Sequence, residues 1–422
     1  MSPARRSPPR PAFFFLFLAS ALGVLLTRLD ADARLPLRVL LIQGAPSAEV
    51  GAPAALRVYS LAEERLVRNV ERGGSIELRA DGDRILLAPR GGLTLSSGDA
   101  LPPGGVRFRA VGGAVRLNGT PYRGAIDVAA SGGRLWAVNS VRLEDYLRGV
   151  IGREVSPAWP PAALQAQAVA ARTFALLIRA QAERASQGRA LYHLTAGTGD
   201  QVYGGIGAEH PAVDAAVKST EGEVLVYRGA LARAFFHASS GGYTEAARAV
   251  WPAIDGPYLR GVPVPQERSD PTQEWEVRIG REELRAALAR EGHLLGPIEE
   301  VRVEGRTPSG RAARVRIVHR SGEIALAAPQ LRRALGHTRI RSALFALEPR
   351  RDAWVFRGRG YGHGVGMSQQ GARLLAEAGM RYTRILTFFY PGASLGRAEE
   401  AAFPDEALLV PQEIDDLSRL LR

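Results

Sequence analysis

The chain has 422 residues, 46% of them hydrophobic, which allows two or three domains with a sizeable core. Its formal net charge is +12, carried almost wholly by arginine because Lys218 is the only lysine; the excess favours anionic partners. The charge is dispersed and no nucleic-acid-binding motif is present, so nucleic acid is not an expected partner. Cysteine is absent, which removes disulfides, thiolate metal sites and cysteine nucleophiles together.

The first 33 residues read as a targeting segment. Arg5, Arg6 and Arg10 precede an apolar or small-residue stretch from Phe13 to Leu26, and Ala31-Asp32-Ala33 offers a small-x-small cleavage site. Cleaved signal peptide and uncleaved anchor both remain open; a membrane partner is expected only through this segment. Either way the body is expected outside the cytoplasmic membrane, and a large exported protein without disulfides fits a bacterial envelope.

Residues 34–104 form a strand-rich N-terminal region. Residues 105–264 read as the first part of a core, 265–349 as a mixed α/β insertion, 350–396 as the core's last part, and 397–422 as an acidic tail. Val106 to Val111 alternates, Gly112-Gly113 turns, and Ala114 to Leu117 follows; Asn118-Gly119 is a hairpin dipeptide, since both residues tolerate positive φ. A helix is expected from Pro160-Pro161 to about Ala185, with Leu164, Ala168, Ala171, Ala175 and Ile178 as one buried, mostly alanine stripe. Val213 to Lys218 reads as a short helix and Glu223 to Tyr227 as a strand. Within the insertion, helices are expected around Arg281 to Arg290 and Pro329 to Leu335. The expected class is α+β: a strand-rich body with a substrate groove, one long alanine-striped helix and the insertion.

Three stretches carry candidate chemistry. Gly358 to Ala372 reads GRGYGHGVGMSQQGA, with glycine at every second position from Gly358 to Gly366. Neither a dinucleotide fingerprint nor a Walker loop fits. Strict period two predicts an extended strand with the glycines on one face, where a backbone or ligand approaches closely, and Arg359, Tyr361, His363, Val365 and Met367 on the other. Ser368 is an expected N-cap and Gly379 a helix stop. Arg148 to Val155 reads as strand-like and ends near one carboxylate, Glu154, among apolar residues. Desolvation there would raise its pKa and hold the proton that a general acid needs. Phe235 to Thr244 gathers a histidine, two serines and a tyrosine, but contains no G-x-S-x-G elbow, and no H-E-x-x-H occurs anywhere.

These blocks together, with Leu143 to Glu154, Trp159-Pro160, Leu164 to Thr173, Trp251 and Phe389-Tyr390-Pro391-Gly392, resemble the stage II sporulation protein D family, which includes related amidase enhancers of bacterial envelopes. The likeness covers roughly residues 105 to 396. It implies a peptidoglycan lytic transglycosylase that cleaves glycan strands stripped of stem peptides and leaves 1,6-anhydromuramoyl ends. The family's single catalytic glutamate matches Glu154. Its nearby substrate positions fall on Gln165, where lysine is common, Arg172 and Tyr243. His237, Ser239, Ser240, His363, Ser368 and Gln369 are the further residues expected along the groove. Some members carry a His-Cys pair before a Gln-x-Tyr and bind zinc there; Gly199 to Tyr203 has neither ligand, so no metal and no cofactor is expected. The expected partners are glycan strands and, on the rival reading of a non-catalytic activator, a cell-wall amidase.

Overall fold

The computed structural model describes residues 36–70, 73–90, 100–197, 199–268 and 270–404. The expected leader and the end of the acidic tail lie outside them. Two sheets open the described body. The first has seven strands in the order 194–195, 37–45, 134–141, 125–131, 106–110, 56–60, 66–70; the second has five, in the order 84–90, 75–81, 47–51, 115–117, 120–122. Both sheets combine strands from before and after residue 105. Val106, Phe108, Ile126, Val128, Leu135 and Ala137 turn into one shared core because alternate residues of a strand face opposite sides. Asn118 (φ 48°) and Gly119 (φ 83°) make the expected tight turn between Val115–Leu117 and Thr120–Tyr122.

Helix α1, Leu143–Glu154, follows the strand 134–141. The sequence reads as a strand over Arg148 to Val155; the structure corrects this to helix. Tyr146, Leu147, Val150 and Ile151 lie buried, and Glu144 and Asp145 occupy the first turn, where acidic groups favour a helix. The glycines that depress helix propensity are contact points instead. A Cβ on Gly152 would stand 2.2 Å from the Ala208 carbonyl, and one on Gly149 2.5 Å from the Tyr203 ring.

Helix α2, Pro161–Ala185, is the axle of the molecule. Leu164, Ala168, Ala171, Ala175 and Ile178 pack on the sheets, while Ala166, Val169 and Ala170 pack into a second core with Val365, Met367, Phe389 and Tyr390. The single expected stripe is thus one of two, and the small residues let elements close in on both sides. By length and composition α2 could cross a membrane, but its most apolar window is 78% buried. Helix α3, Pro211–Ser219, leads to the strand Glu223–Tyr227, which pairs with Ser394–Arg397.

The segment read as an insertion packs around its own core, which runs from Trp275 to Phe356 and takes in the strand 353–359. It holds the sheets 298–306/312–319/322–327 and 274–280/353–359/345–349 with helices α4, Arg281–Arg290, and α5, Ala328–Leu335. The chain then returns through the glycine stretch to helices α6, Gln369–Glu377, and α7, Tyr382–Phe389.

The glycine stretch is not the expected strand. Gly358 lies in a strand that ends at Arg359, but Gly360, Gly362, Gly364 and Gly366 have φ of +76°, +116°, +90° and +72°. Side-chain-bearing residues rarely adopt that region, so every second position needs glycine for its backbone. Each is also a close approach: a Cβ would lie 2.8 Å from the Ser239 carbonyl at Gly360, 2.6 Å from His237 Cβ at Gly362, 2.7 Å from the Arg311 guanidinium at Gly364 and 2.1 Å from the Phe235 carbonyl at Gly366.

Gly366→Ala is therefore expected to cost more than Gly112→Ala, where φ is +78° but nothing lies within 4 Å. The left-handed conformation costs about 1–2 kcal/mol at both sites, and overpacking adds about 1–3 kcal/mol at Gly366 alone. Urea denaturation of the two variants measures the difference; equal losses would show that close packing contributes nothing.

Candidate active site

Glu154 is the last residue of α1, so its carboxyl emerges where the helix stops. Oε1 accepts the Val202 N–H at 2.9 Å, and Oε2 lies 3.4 Å from the Gln369 amide nitrogen. Burial raises its pKa above the usual carboxylate value, against the pull of these two hydrogen bonds. No ion pair to Glu154 occurs among the described residues.

The Val202 donor is aimed by its neighbours. Gln201 is fully buried; it accepts the Tyr146 hydroxyl at 3.0 Å and donates to the Ala171 carbonyl at 3.4 Å. Tyr203 donates its hydroxyl to Asn139 at 2.8 Å and lays its ring over Gly149. With both flanking side chains anchored inward, the peptide N–H between them faces the carboxylate.

Gln369 arrives from the other end of the chain. Phe236–His237 pairs in parallel with Met367–Ser368, and Ser239 and Tyr361 exchange backbone hydrogen bonds at 3.0 and 2.9 Å. Beneath them lies Glu267, 0% exposed. Its Oε2 accepts the Ser239 hydroxyl (2.7 Å) and the N–H groups of Ser240 (2.7 Å) and Gly241 (3.1 Å); its Oε1 accepts the Ser368 hydroxyl at 2.5 Å. Ser368 also caps α6, its hydroxyl accepting the Gly371 N–H. From the insertion, buried Arg311 donates to the carbonyls of Tyr243 and Ser240, both at 2.8 Å. Burial pulls its guanidinium down to about 10, while Glu245 and Glu267 act to raise it. Glu245 accepts from Thr307 (2.6 Å) and Ser309 (2.8 Å), tying the same turn to the core.

The structure thus brings Glu154, Gln369, Ser368, Ser239, Ser240 and His237 into one connected lattice, with the Tyr243 carbonyl held by Arg311. His237 donates Nδ1–H to the Val365 carbonyl, and His363 Nδ1 accepts the Val365 N–H, so the backbone of one residue joins both rings. Burial holds His363 down to about 3 and His237 well below the ordinary imidazole value, which leaves both neutral at pH 7. The three serine hydroxyls turn inward and are spent on protein groups. Gln165 bonds Ser219 at the end of α3 (3.0 Å), and no hydrogen bond links it to Glu154. Arg172 is 0% exposed. Its guanidinium grips Glu144 at 2.8 and 2.7 Å and the carbonyls of Glu223 and Val217, so it braces the start of α1 and faces no groove in this structure. Glu267, Arg311, Glu245, Val202 and Gln167 are site-forming residues that the sequence reading does not single out for a role. Gln167 and Val202 fall within the stretches Leu164 to Thr173 and Gly199 to Tyr203, and Arg311 within a turn, Ser309-Gly310-Arg311, that resembles the family's pattern.

Among the described residues no group of His, Asp and Glu is placed to hold a metal. His193 accepts the Arg38 N–H (3.0 Å) and faces Glu183 (2.7 Å), and Asp200 accepts from the Thr195 N–H and hydroxyl at 2.7 and 2.8 Å.

Arg172→Leu is expected to destabilise the protein by about 3–5 kcal/mol, because it removes one partner of a buried bidentate pair. A thermal melt of the purified variant reads this directly. An unchanged melting temperature would mean that Arg172 does not brace α1.

A family model described as Stage II sporulation protein matches residues 131–227, which include Glu154, Gln165 and Arg172, and one described as a domain of unknown function matches residues 265–366. The chain is 31% identical over 280 residues to an uncharacterised protein of Brachyspira hyodysenteriae, a match spanning 66% of this chain and 73% of that protein. It is 29% identical over 297 residues to the amidase enhancer of Bacillus subtilis, which covers 59% of this chain but 40% of that longer relative. It is 30% identical over 273 residues to stage II sporulation protein D of Bacillus subtilis, spanning 62% of this chain and 77% of the relative. The chain belongs to the stage II sporulation protein D family.

Proposed function

We propose that the protein is a peptidoglycan lytic transglycosylase of the bacterial cell envelope, exported by way of its N-terminal segment, with Glu154 as its acid and base. The observation that carries this reading is one desolvated carboxyl at a helix end, its pKa raised by burial and its hydrogen bonds all from neutral groups. Glycosidases commonly need two carboxyls, one of them to act on the sugar or to activate water. An intramolecular nucleophile removes that need. Glu154 gives its proton to the glycosidic oxygen as the bond to the anomeric carbon breaks. The sugar's own 6-hydroxyl then bonds to that carbon and returns its proton to Glu154, which ends as it began. The core in this reading comprises residues 105–264 and 350–396, interrupted by the insertion 265–349, whose sheet and apolar core also take in the strand 353–359. Tyr243 and Gln165 are proposed substrate contacts. Arg172 acts by holding α1.

A second reading, a glycan-binding activator of a cell-wall amidase, is favoured by the likeness to an amidase enhancer. Denuded glycan strands incubated with the purified protein decide between them. Mass spectrometry is expected to find 1,6-anhydromuramoyl ends, with Glu154→Gln reducing their rate of formation about 10²–10⁴-fold, the usual contribution of general acid–base catalysis. Binding without cleavage by either protein, together with amidase stimulation that survives Glu154→Gln, would overturn the enzyme reading.

The pH profile adds a second check. Cleavage starts from protonated Glu154, so the rate falls as pH rises through its pKa. Because burial raises that pKa, the basic limb of kcat/KM is expected above the ordinary glutamate value of about 4.3. A limb at the ordinary value would separate the rate-controlling proton from Glu154.

A further inference from the structure

Three side chains from separate segments meet end to end at the candidate acid. The Gln369 amide nitrogen lies 3.4 Å from Glu154 Oε2 and 3.5 Å from Gln167 Oε1, so its two hydrogens serve one oxygen each. Gln167 stands in the middle of α2 and is 1% exposed; its own amide nitrogen has no hydrogen-bond partner. A buried N–H without an acceptor is costly and rare. Gln167 cannot escape by turning over alone, because its NH2 would then face the NH2 of Gln369. The arrangement suits an ionised Glu154: the carboxylate accepts, Gln369 donates twice, Gln167 accepts, and one donor is left over.

A proton on Glu154 permits the opposite pairing. The acid now offers an O–H, and an amide oxygen has two lone pairs. When Gln369 turns over, its oxygen replaces its NH2 and accepts from Glu154. When Gln167 turns with it, the stranded NH2 donates to that same oxygen. We infer that Gln167 and Gln369 form an amide relay that reverses its hydrogen-bond direction with the charge on Glu154, giving acid and conjugate base each a matched partner. The inference rests on the reading of Glu154 as a group that alternates between those forms. No proton travels along the glutamines; two neutral amides rotate. Gln167 is a positioning residue, touching Gln369 and not substrate.

The other neighbours cannot do this. The Val202 N–H only donates. Tyr146, on the same helix, feels the Glu154 charge but gives its hydroxyl to Gln201. Arg153 packs its stem on Gly204. From α6 the group that meets Glu154 is the neutral Gln369, with the neutral Gln167 of α2 behind it, and no charged side chain pairs with Glu154 among the described residues.

The test is an NMR titration of the purified full-length chain carrying 13C in its glutamate carboxyls and 15N in its glutamine amides. Glu154→Gln assigns the carboxyl by its loss, and Gln167→Met assigns the relay's far amide. The Gln167 NH2 signals are expected to move with the same midpoint as the Glu154 carboxyl, although the two groups do not touch. In Gln369→Met that movement is expected to vanish while Glu154 still titrates. A Gln167 amide that stays still in the unmutated protein as Glu154 titrates overturns the inference, and so does one that keeps moving without Gln369. No activity is read, so failure to form anhydro ends would sink the proposed function and leave the relay standing or falling by the titration.

Discussion

A carboxylate that never meets solvent, that of Glu267, holds the two ends of the candidate site together. Its acceptors collect Ser239, Ser240 and Gly241 from one segment and Ser368 from another more than a hundred residues further on. Each of those donors is buried, and each would cost about 1–3 kcal/mol if stranded. The alternative to assembling around Glu267 is therefore several unpaired groups at once. The consequences run outward from there. Ser368 starts α6, and the next residue is Gln369, which reaches Glu154. Gly371 carries no side chain because a Cβ would stand 2.6 Å from Glu267 Oε1. Glu267 itself lies in the short helix Pro265–Arg268, just before the strand 274–280, so that stretch of chain helps to assemble the site.

What could be read in the sequence follows from which forces are local. Helices 161–185, 213–218 and 281–290 and the strand 223–227 announce themselves through periodicity, a leading proline or a short apolar run, and the structure has an element at each, the second helix extending over 211–219. Helix α1 does not, because Gly149 and Gly152 weaken its intrinsic preference and its stability comes from packing against 203–208. The glycine stretch misleads for a related reason. Period two is a true feature of it, but it marks alternating sign of φ, which no pattern of residue types distinguishes from the two faces of a strand. The expected close approach of a neighbouring backbone does occur, with 235–241 as the neighbour. Glu154 stands out through its apolar surroundings and the family resemblance. Glu267 gives no such sign, since its partners are backbone N–H groups and serines that only folding brings near.

A basic protein that places a lone desolvated carboxyl at a helix end faces an electrostatic difficulty. Any arginine close by would stabilise the carboxylate and draw its pKa down. The arginines on the neighbouring helices are committed elsewhere. Arg172 is locked on Glu144, and Arg148, on α1 itself, is paired with Asp214 at 2.6 Å and Glu209 at 2.9 Å. Arg123 shares Glu209. These pairs brace α1 against α2 and α3, and they also cancel positive charge before it reaches the end of the helix. Glu154 is left to peptide and amide dipoles. Those can hold it in place without settling its charge, which suits the role proposed for it, losing and regaining a proton.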